Sequence, residues 1–345
     1  MTKKNNDSIL VFEYFTASGE KDKSIICEAE ALIFSLIDDL SDFNIDLVIN
    51  KDYENTLLSY NNINPIYIDG NVMDWLESNA SNFNSAIFIA GENNNNLYNI
   101  TKILEENNVK TYTSSSLACL KASDKYKTYT ELLNIVSQPQ SFEFTVDSNG
   151  EWISEIKKLK FNKLIIKPLI GVDCEDIVII DDFSRDMSKI FPHNSKVLVQ
   201  EFIDGEDISI SLISDGVNVL PISLNKQFIE LNNDKETYIG GKLPYNFKLK
   251  DKAFKTAVKA VESIKGLKGF VGVDLIVDDK DVYLLEINSR FTTPYVGLKQ
   301  IINFNIGKTI IDLIDGKINI DALNVAFDGE VEFKKDCDAL KIRRL

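Results

Sequence analysis

Two neighbouring apolar segments constrain this chain most: Gly272-Val273-Asp274-Leu275 and Leu284-Leu285-Glu286-Ile287-Asn288. Side chains alternate between the faces of a strand, so Glu286 and Asn288, two residues apart, point the same way. The stretch Asp278-Asp279-Lys280-Asp281 between the segments reads as a hairpin turn. If Asp278 pairs with Val282, Ile276 opposes Leu284 and Asp274 opposes Glu286; a register shifted by one would turn Asp274 away. Two carboxylates opposed on a half-buried face repel unless cations lie between them. Val271, Val273, Leu275, Tyr283, Leu285 and Ile287 around them argue against a solvated acidic hairpin. Asp274, Glu286 and Asn288 are therefore candidate oxygen ligands for a hard cation such as Mg²⁺. Arg290 continues the same face and could hold an anionic group with its planar fork.

At 345 residues the chain is long for one core, so two or three domains are expected. Residues 9–15 read as a buried strand ending in Ala17-Ser18-Gly19, and 24–40 has helical apolar spacing. Short strands follow at 45–49, 65–68, 85–90 and near 110–113, with helices at 72–79 and 97–107. This alternation predicts an open α/β domain over about 1–118, its parallel sheet covered on both faces. Its ligand edge should lie beyond the strand C-termini, near Glu13. A helix is expected from Asp124 to Leu133 with Ser123 as N-cap. Two hairpin-like runs and a helix at 151–159 suggest a small α+β lid over 119–198. Residues 199–345 form a third unit, with a helix at 253–265 and a tail after about 318.

Further residues suit anionic ligands. Ile165-Ile166-Lys167-Pro168 runs into Gly171, and a lysine on an apolar strand needs an anionic partner; the bland alternative is a surface lysine flanking a strand. Lys125 opens a helix, where a solvated face is the competing reading. Gln200-Glu201-Phe202-Ile203 offers backbone groups flanked by apolar side chains. Asp207 and Glu206 compete for one carboxylate role.

In this order and spacing the pieces resemble the ATP-grasp superfamily of ATP-dependent carboxylate–amine ligases. The resemblance implies an ATP-grasp fold in which two α+β subdomains clasp the nucleotide beside the N-terminal α/β domain. It implies ATP and Mg²⁺ or Mn²⁺, as two ions. It gives Lys125 and Lys167 to the phosphates, the backbone of Gln200, Glu201, Phe202 and Ile203 to the adenine edge, and Asp207 to the ribose. Local strings look like the tyramine–glutamate ligase family of methanofuran biosynthesis: Phe12-Glu13-Tyr14 leading to Gly19, Leu224-Asn225-Lys226-Gln227, Tyr238-Ile239-Gly240-Gly241, and Arg290-Phe291-Thr292-Thr293-Pro294-Tyr295. That likeness implies joining the γ-carboxylate of L-glutamate to tyramine through an acyl phosphate, releasing ADP and phosphate. Arg290 and Lys226 would then be catalytic, with Asn225 and Gln227 reaching the phosphates. Gly240 and Gly241 would admit a close approach of backbone. Glu13 and Tyr295 fall on the substrate side, Tyr295 as a ring to stack on the amine or as a core residue. Another amino-acid or small-molecule ligase is the rival reading, and a non-catalytic nucleotide-binding regulator the rival from another class. One departure is the phosphate loop, which has only Gly171 before Val172-Asp173-Cys174-Glu175-Asp176.

The composition excludes other classes. A net charge of −15 disfavours nonspecific nucleic-acid binding. The basic Lys341-Ile342-Arg343-Arg344 reads as a solvated tail. Four cysteines without a CxxC pair fit a reducing cytoplasm rather than a disulfide framework or zinc ribbon. No apolar run reaches the roughly 20 residues that span a bilayer, and Met1–Asp7 leads into a strand too short for a signal-peptide core. The expectation is a soluble cytoplasmic protein with small-molecule partners and an open question of homo-oligomerisation. The single histidine, His193, reads as a loop residue, which leaves no base for a Ser or Cys nucleophile. Gly307-Lys308-Thr309 ends like a P-loop, but Ile302 stands where the first glycine must be.

Overall fold

Alternating apolar strands and helices at the N-terminal end do build a parallel sheet. The computed structural model describes residues 8–171, 177–181, 191–232, 235–336 and 339–345. Strands β1 (Ser8–Glu13), β2 (Asn44–Asn50), β3 (Ile63–Ile68), β4 (Ser85–Ile89) and β5 (Lys110–Thr111) pair in the order β3-β2-β1-β4-β5, all parallel. Both faces of β1 are buried: Ile9 and Val11 pack with Leu32, Leu36 and Ile37, while Leu10 and Phe12 pack with Leu76 and Leu97. That double burial is why the strand is apolar throughout. The first strand stops at Glu13, two residues earlier than expected. The Glu13 carboxylate accepts from the N–H groups of Phe15 (3.0 Å) and Thr16 (2.7 Å), opening helix α1 (Tyr14–Ser18). Helices α2 (Lys23–Asp39), α3 (Val72–Asn79) and α4 (Asn96–Glu106) cover the sheet.

Helix α5 (Ser116–Ser123), which the sequence reading missed, precedes α6 (Lys125–Glu131). The cap of α6 is Asp124 rather than Ser123; its carboxylate accepts from Tyr126 N (3.1 Å) and Lys127 N (3.0 Å). An antiparallel sheet follows in the order β6-β9-β7-β8, from β6 (Ser141–Thr145), β7 (Leu164–Pro168), β8 (Val178–Ile180) and β9 (Lys196–Glu201), with α7 (Glu151–Lys157) packed on it through Trp152 and Ile156. His193 is exposed in the turn before β9, as its loop context suggested.

The largest sheet is antiparallel, in the order β14-β13-β10-β11-β12-β15-β16. Its strands are β10 (Glu206–Ser214), β11 (Val219–Asn232), β12 (Lys235–Leu243), β13 (Gly269–Val277), β14 (Val282–Asn288), β15 (Val331–Asp336) and β16 (Ala339–Arg344). Helix α8 (Lys250–Ser263) buries one face, Ala253, Ala257 and Ala260 meeting Ile208, Ile210, Val273 and Leu275. The stretch expected to be a tail thus supplies β15 and β16, with Lys341–Arg344 inside β16. Glycine makes that junction: a Cβ on Gly240, whose φ is +143°, would lie 2.1 Å from the Phe333 carbonyl oxygen. Helices α9 (Pro294–Leu298) and α10 (Ile306–Ile314) join this sheet to α2. Among the described residues no helix is long and apolar enough to cross a membrane.

Candidate active site

The face of the large sheet opposite α8 meets the small sheet in one continuous pocket. Residues from β7 (Ile165, Lys167), β9 and the following hinge (Gln200, Glu201, Phe202, Ile203), β10 (Asp207, Ser209) and β13–β14 (Asp274, Ile276, Leu285, Glu286, Asn288) line it. Lys125, Gln227, Arg290 and Thr292–Pro294 extend it, and Glu28 and Tyr238 close the far end.

Asp274 does oppose Glu286, but by a different route from the expected one. The hairpin closes at Val277↔Val282, with Ile276 facing Tyr283 and Leu275 facing Leu284. The pairing Asp278–Val282 and the pairing Ile276–Leu284 do not occur. The Asp278 carboxylate instead takes the N–H groups of Lys280 (2.7 Å) and Asp281 (2.6 Å), widening the turn by one residue. An extra residue on β14, Leu285, then bulges the ladder between Leu275 and Asp274 and restores the opposition. A bulge beside a site re-aims side chains, and here both Leu285 and Glu286 face the pocket.

The electrostatics match two carboxylates that need positive charge. Burial, then the facing Glu286 carboxylate, pushes Asp274 up to about 8. Asn288 Nδ2 (2.8 Å) and Gln227 Nε2 (3.0 Å) donate to it. Burial would also raise Glu286, but Lys125 and Lys167 outweigh it and hold that carboxyl low; Lys125 Nζ is 3.0 Å from Glu286 Oε2. Among the described residues no three carboxylate, His or Cys side chains cluster as a metal site. The donor set is two carboxylates and one amide, hard oxygens of the kind Mg²⁺ takes once the Asn288 amide presents its Oδ1. The residues fit a divalent cation.

Local structure delivers the two lysines. Asp124 caps α6, and Lys125 N donates to Leu169 O (2.9 Å), so the first residue of the helix is tied to the chain leaving β7. Lys125 Nζ then reaches Gly171 O (3.1 Å) as well as Glu286. Lys167 is buried on β7. The expected loop residues Val172, Asp173, Cys174, Glu175 and Asp176 lie outside the described residues.

The hinge differs in detail from expectation. Glu201 N–H donates to Gln140 O (2.8 Å) and Phe202 N–H to Lys163 O (3.2 Å), so neither is offered to a base. Among the described residues Ile203 N–H makes no backbone hydrogen bond. The Gln200 amide donates to Ser141 Oγ (2.8 Å). Lys163 Nζ sits 3.6 Å from the Phe202 ring centroid and braces it. Asp207 faces the pocket, whereas Glu206 points to the other side.

Three expectations are corrected, and the open reading of Tyr295 is decided for the core. Lys226 sits opposite Ile208 on the α8 side of the sheet; its ammonium pairs with Glu206 (2.6 Å), which also accepts from Tyr245 (2.9 Å). A one-residue alternation keeps it from the phosphates. Asn225 shares the pocket face but is buried below the floor, donating to Ser209 Oγ (3.2 Å) and Ser211 Oγ (3.0 Å). Gly240 and Gly241 make room for β15, not for a ligand: a Cβ on Gly241 would lie 2.5 Å from Lys226 O and 3.0 Å from the Phe333 ring. Tyr295 is fully buried against Phe270 and Phe291, its hydroxyl donating to Asp39 (2.8 Å), so it cannot stack on a substrate. Glu13 is also buried, pushed up to about 7 chiefly by burial, with Glu28 adding to the rise.

Sequence reasoning missed Glu92, Glu28 and Lys335. Glu92, buried just past β4, grips Arg290 Nε at 2.9 and 3.1 Å from its two oxygens. It ends a buried strand of the parallel sheet, where ligand groups collect, and that position was the available signal. Nothing in local sequence marks Glu28 or Lys335.

A profile of the ATP-grasp domain matches residues 122–294. The chain belongs to the ATP-grasp family, and it is an ATP-dependent ligase that forms carbon–nitrogen bonds. It is 36% identical over 298 residues to the tyramine–L-glutamate ligase of Methanocaldococcus jannaschii, with 84% of each chain covered. The protein of the same name from Methanocaldococcus fervens is 34% identical, over 84% of this chain and 89% of that one. The crystal structure of an ATP-grasp superfamily protein from Archaeoglobus fulgidus superposes with a TM-score of 0.75 at 26% identity, covering 99% of this chain and 100% of that one.

Proposed function

We propose that this ligase joins the γ-carboxylate of L-glutamate to tyramine, with units at 1–118, 119–198 and 199–345 enclosing the reactants. The observation that carries the reading is the opposed Asp274–Glu286 pair, flanked by Lys125 and Lys167, midway between an apolar hinge and a carboxylate-bearing far wall. The names of the two archaeal relatives support the choice of substrates.

Adenine lies against Phe202, Ile203, Ile276 and Leu285, with the Ile203 N–H on its edge and Asp207 on the ribose. Lys125 and Lys167 take phosphate oxygens. Asp274, Glu286 and Asn288 would hold Mg²⁺ or Mn²⁺, two ions in this reading, which supply charge neutralisation for the phosphates. Arg290, aimed by Glu92, binds the carboxylate to be activated and then the phosphoryl group it acquires. A γ-carboxylate oxygen attacks the γ-phosphorus; that P–O bond forms as the bond to ADP breaks. The ammonium of the amine first gives one proton to solvent; its lone pair then attacks the acyl carbon, the C–O bond breaks with its electron pair going to the departing phosphate, and that phosphate takes the second proton from the nitrogen. Closure of the small sheet over the site keeps water from the acyl phosphate.

Incubation with ATP, Mg²⁺, L-glutamate and tyramine should release ADP and give a product with the mass of γ-glutamyltyramine. Parallel assays with phenethylamine and a linear amine test the pocket, since ring burial is worth about 2–3 kcal/mol, or roughly 30- to 150-fold. Equal rates with all three amines would refute tyramine as the acceptor. ADP release only with another acid would refute glutamate.

A further inference from the structure

The pocket continues past the metal-binding side chains to a polar group that the scheme above leaves unused. Glu28, in the second turn of α2, reaches into the far end. Both of its carboxylate oxygens are held by the C-terminal part of the chain: Thr293 Oγ1 donates to one and the Lys335 ammonium of β15 pairs with the other. The Glu28 and Lys335 side chains are only 13% and 16% exposed, so this carboxylate is fixed rather than solvated. A carboxylate oxygen carries two lone pairs, so each keeps capacity for one more donor.

The surroundings define what that donor belongs to. The Lys335 ammonium also lies 5.3 Å from the centroid of Tyr238, placing that ring beside Glu28. Ile229, the cross-strand partner of Tyr238, lines the same wall. A fixed carboxylate beside an aromatic and an aliphatic side chain complements a molecule with an ammonium at one end and an apolar body. Glu28 would repel a ligand carboxylate brought against it, so the end seated there is the ammonium end.

We propose that Glu28, positioned by Lys335 and Thr293, binds the ammonium of the amine substrate, while Tyr238 and Ile229 hold its apolar body; the ligand class is a primary arylalkylamine. The proposal rests on the ligase reading and adds the subsite and its charge. A purely structural Glu28–Lys335 pair would affect stability without selecting among substrates.

The test is tyramine binding by calorimetry, in the presence of Mg²⁺ and a non-hydrolysable ATP analogue, together with separate KM values for ATP, L-glutamate and tyramine. Glu28→Gln keeps an acceptor for Thr293 and removes the charge. It should weaken tyramine binding and raise its KM by about 30-fold or more, the effect of one lost charge-assisted hydrogen bond. The KM values for ATP and glutamate should stay within about threefold, a split that fold damage would not produce. If Glu28→Gln does not fold, Lys335→Met, which frees the carboxylate, should show the same split more weakly. An unchanged tyramine affinity in a folded variant, or a rise confined to the glutamate KM, overturns the proposal. So does a parent protein that binds no primary arylalkylamine. A parent that binds tyramine but activates an acid other than glutamate would sink the proposed substrate pair and leave this subsite standing.

Discussion

Asp274 offers a variant that should gain stability as it loses function. Burial and the facing Glu286 raise its carboxyl to about 8 from an ordinary 3.8. For a raised carboxyl the sign is fixed: its contribution to stability is fully present below 3.8 and is lost as pH rises through about 8. At pH 7 the folded chain must hold a proton that the unfolded chain has released, a cost of roughly 4 kcal/mol over about three pH units. The pocket is open to solvent, and screening reduces this to about 1–2 kcal/mol. Asp274→Asn cannot ionise and still accepts a hydrogen bond through Oδ1. Without nucleotide, and with chelator present, its melting temperature at pH 8 should exceed the parent's by about 1.5–3 °C. The gap should shrink at pH 5, where less of the penalty applies. Turnover should fall by about a thousandfold or more, because a ligand of the metal centre is neutralised. A variant that melts below the parent at pH 8, or a gap independent of pH, would refute the claim that these carboxylates repel in the folded protein.

Glu92→Gln weakens the grip on Arg290, so kcat should drop about tenfold or more with the KM for ATP little changed, as steady-state kinetics would show. Lys226→Met removes an ion pair on the α8 side of the sheet; turnover should stay within about threefold and stability should fall by less than about 1 kcal/mol in urea unfolding. Gly240→Ala forces a Cβ against the Phe333 carbonyl and should cost about 2 kcal/mol or more, visible as a lower urea midpoint. Glu13→Gln should gain stability over the parent progressively from pH 4.5 towards 7, because the Glu13 carboxyl sits at about 7 in the fold and its favourable protonation is lost as pH rises.

Much of the site was legible because its parts are local. The shared face of Glu286 and Asn288 and the burial of Lys167 on its strand follow from period-two alternation along apolar segments, whereas Asp274 meets Glu286 only through a bulge at Leu285 that alternation does not foresee. The same alternation excludes Lys226 from the site: Asn225 and Gln227 face the pocket side, so the residue between them cannot. Tyr295 follows Arg290 closely in sequence, but α9 turns it into the aromatic cluster with Phe270 and Phe291. Glu28 and Lys335 were beyond reach because their roles arise from contacts between residues 265 or more positions apart, and nothing local announces such a meeting; Glu92, 198 positions from Arg290, had only its place past a buried parallel strand as a signal. The β15–β16 pair read as a tail because its alternation is weak and charged, and its stability comes from joining an existing sheet edge through two glycines.

The origin of the far wall has an evolutionary consequence. The two lysines, the hinge and Asp274, Glu286 and Asn288 fall inside the span 122–294, as do Ile229, Tyr238 and Thr293 of the far wall, whereas Glu28 and Lys335 are written in flanking chain. A mutation in α2 or β15 can therefore alter what enters the pocket without displacing a group that handles phosphate. Relatives that share the inner span can diverge in substrate by drift in the flanks.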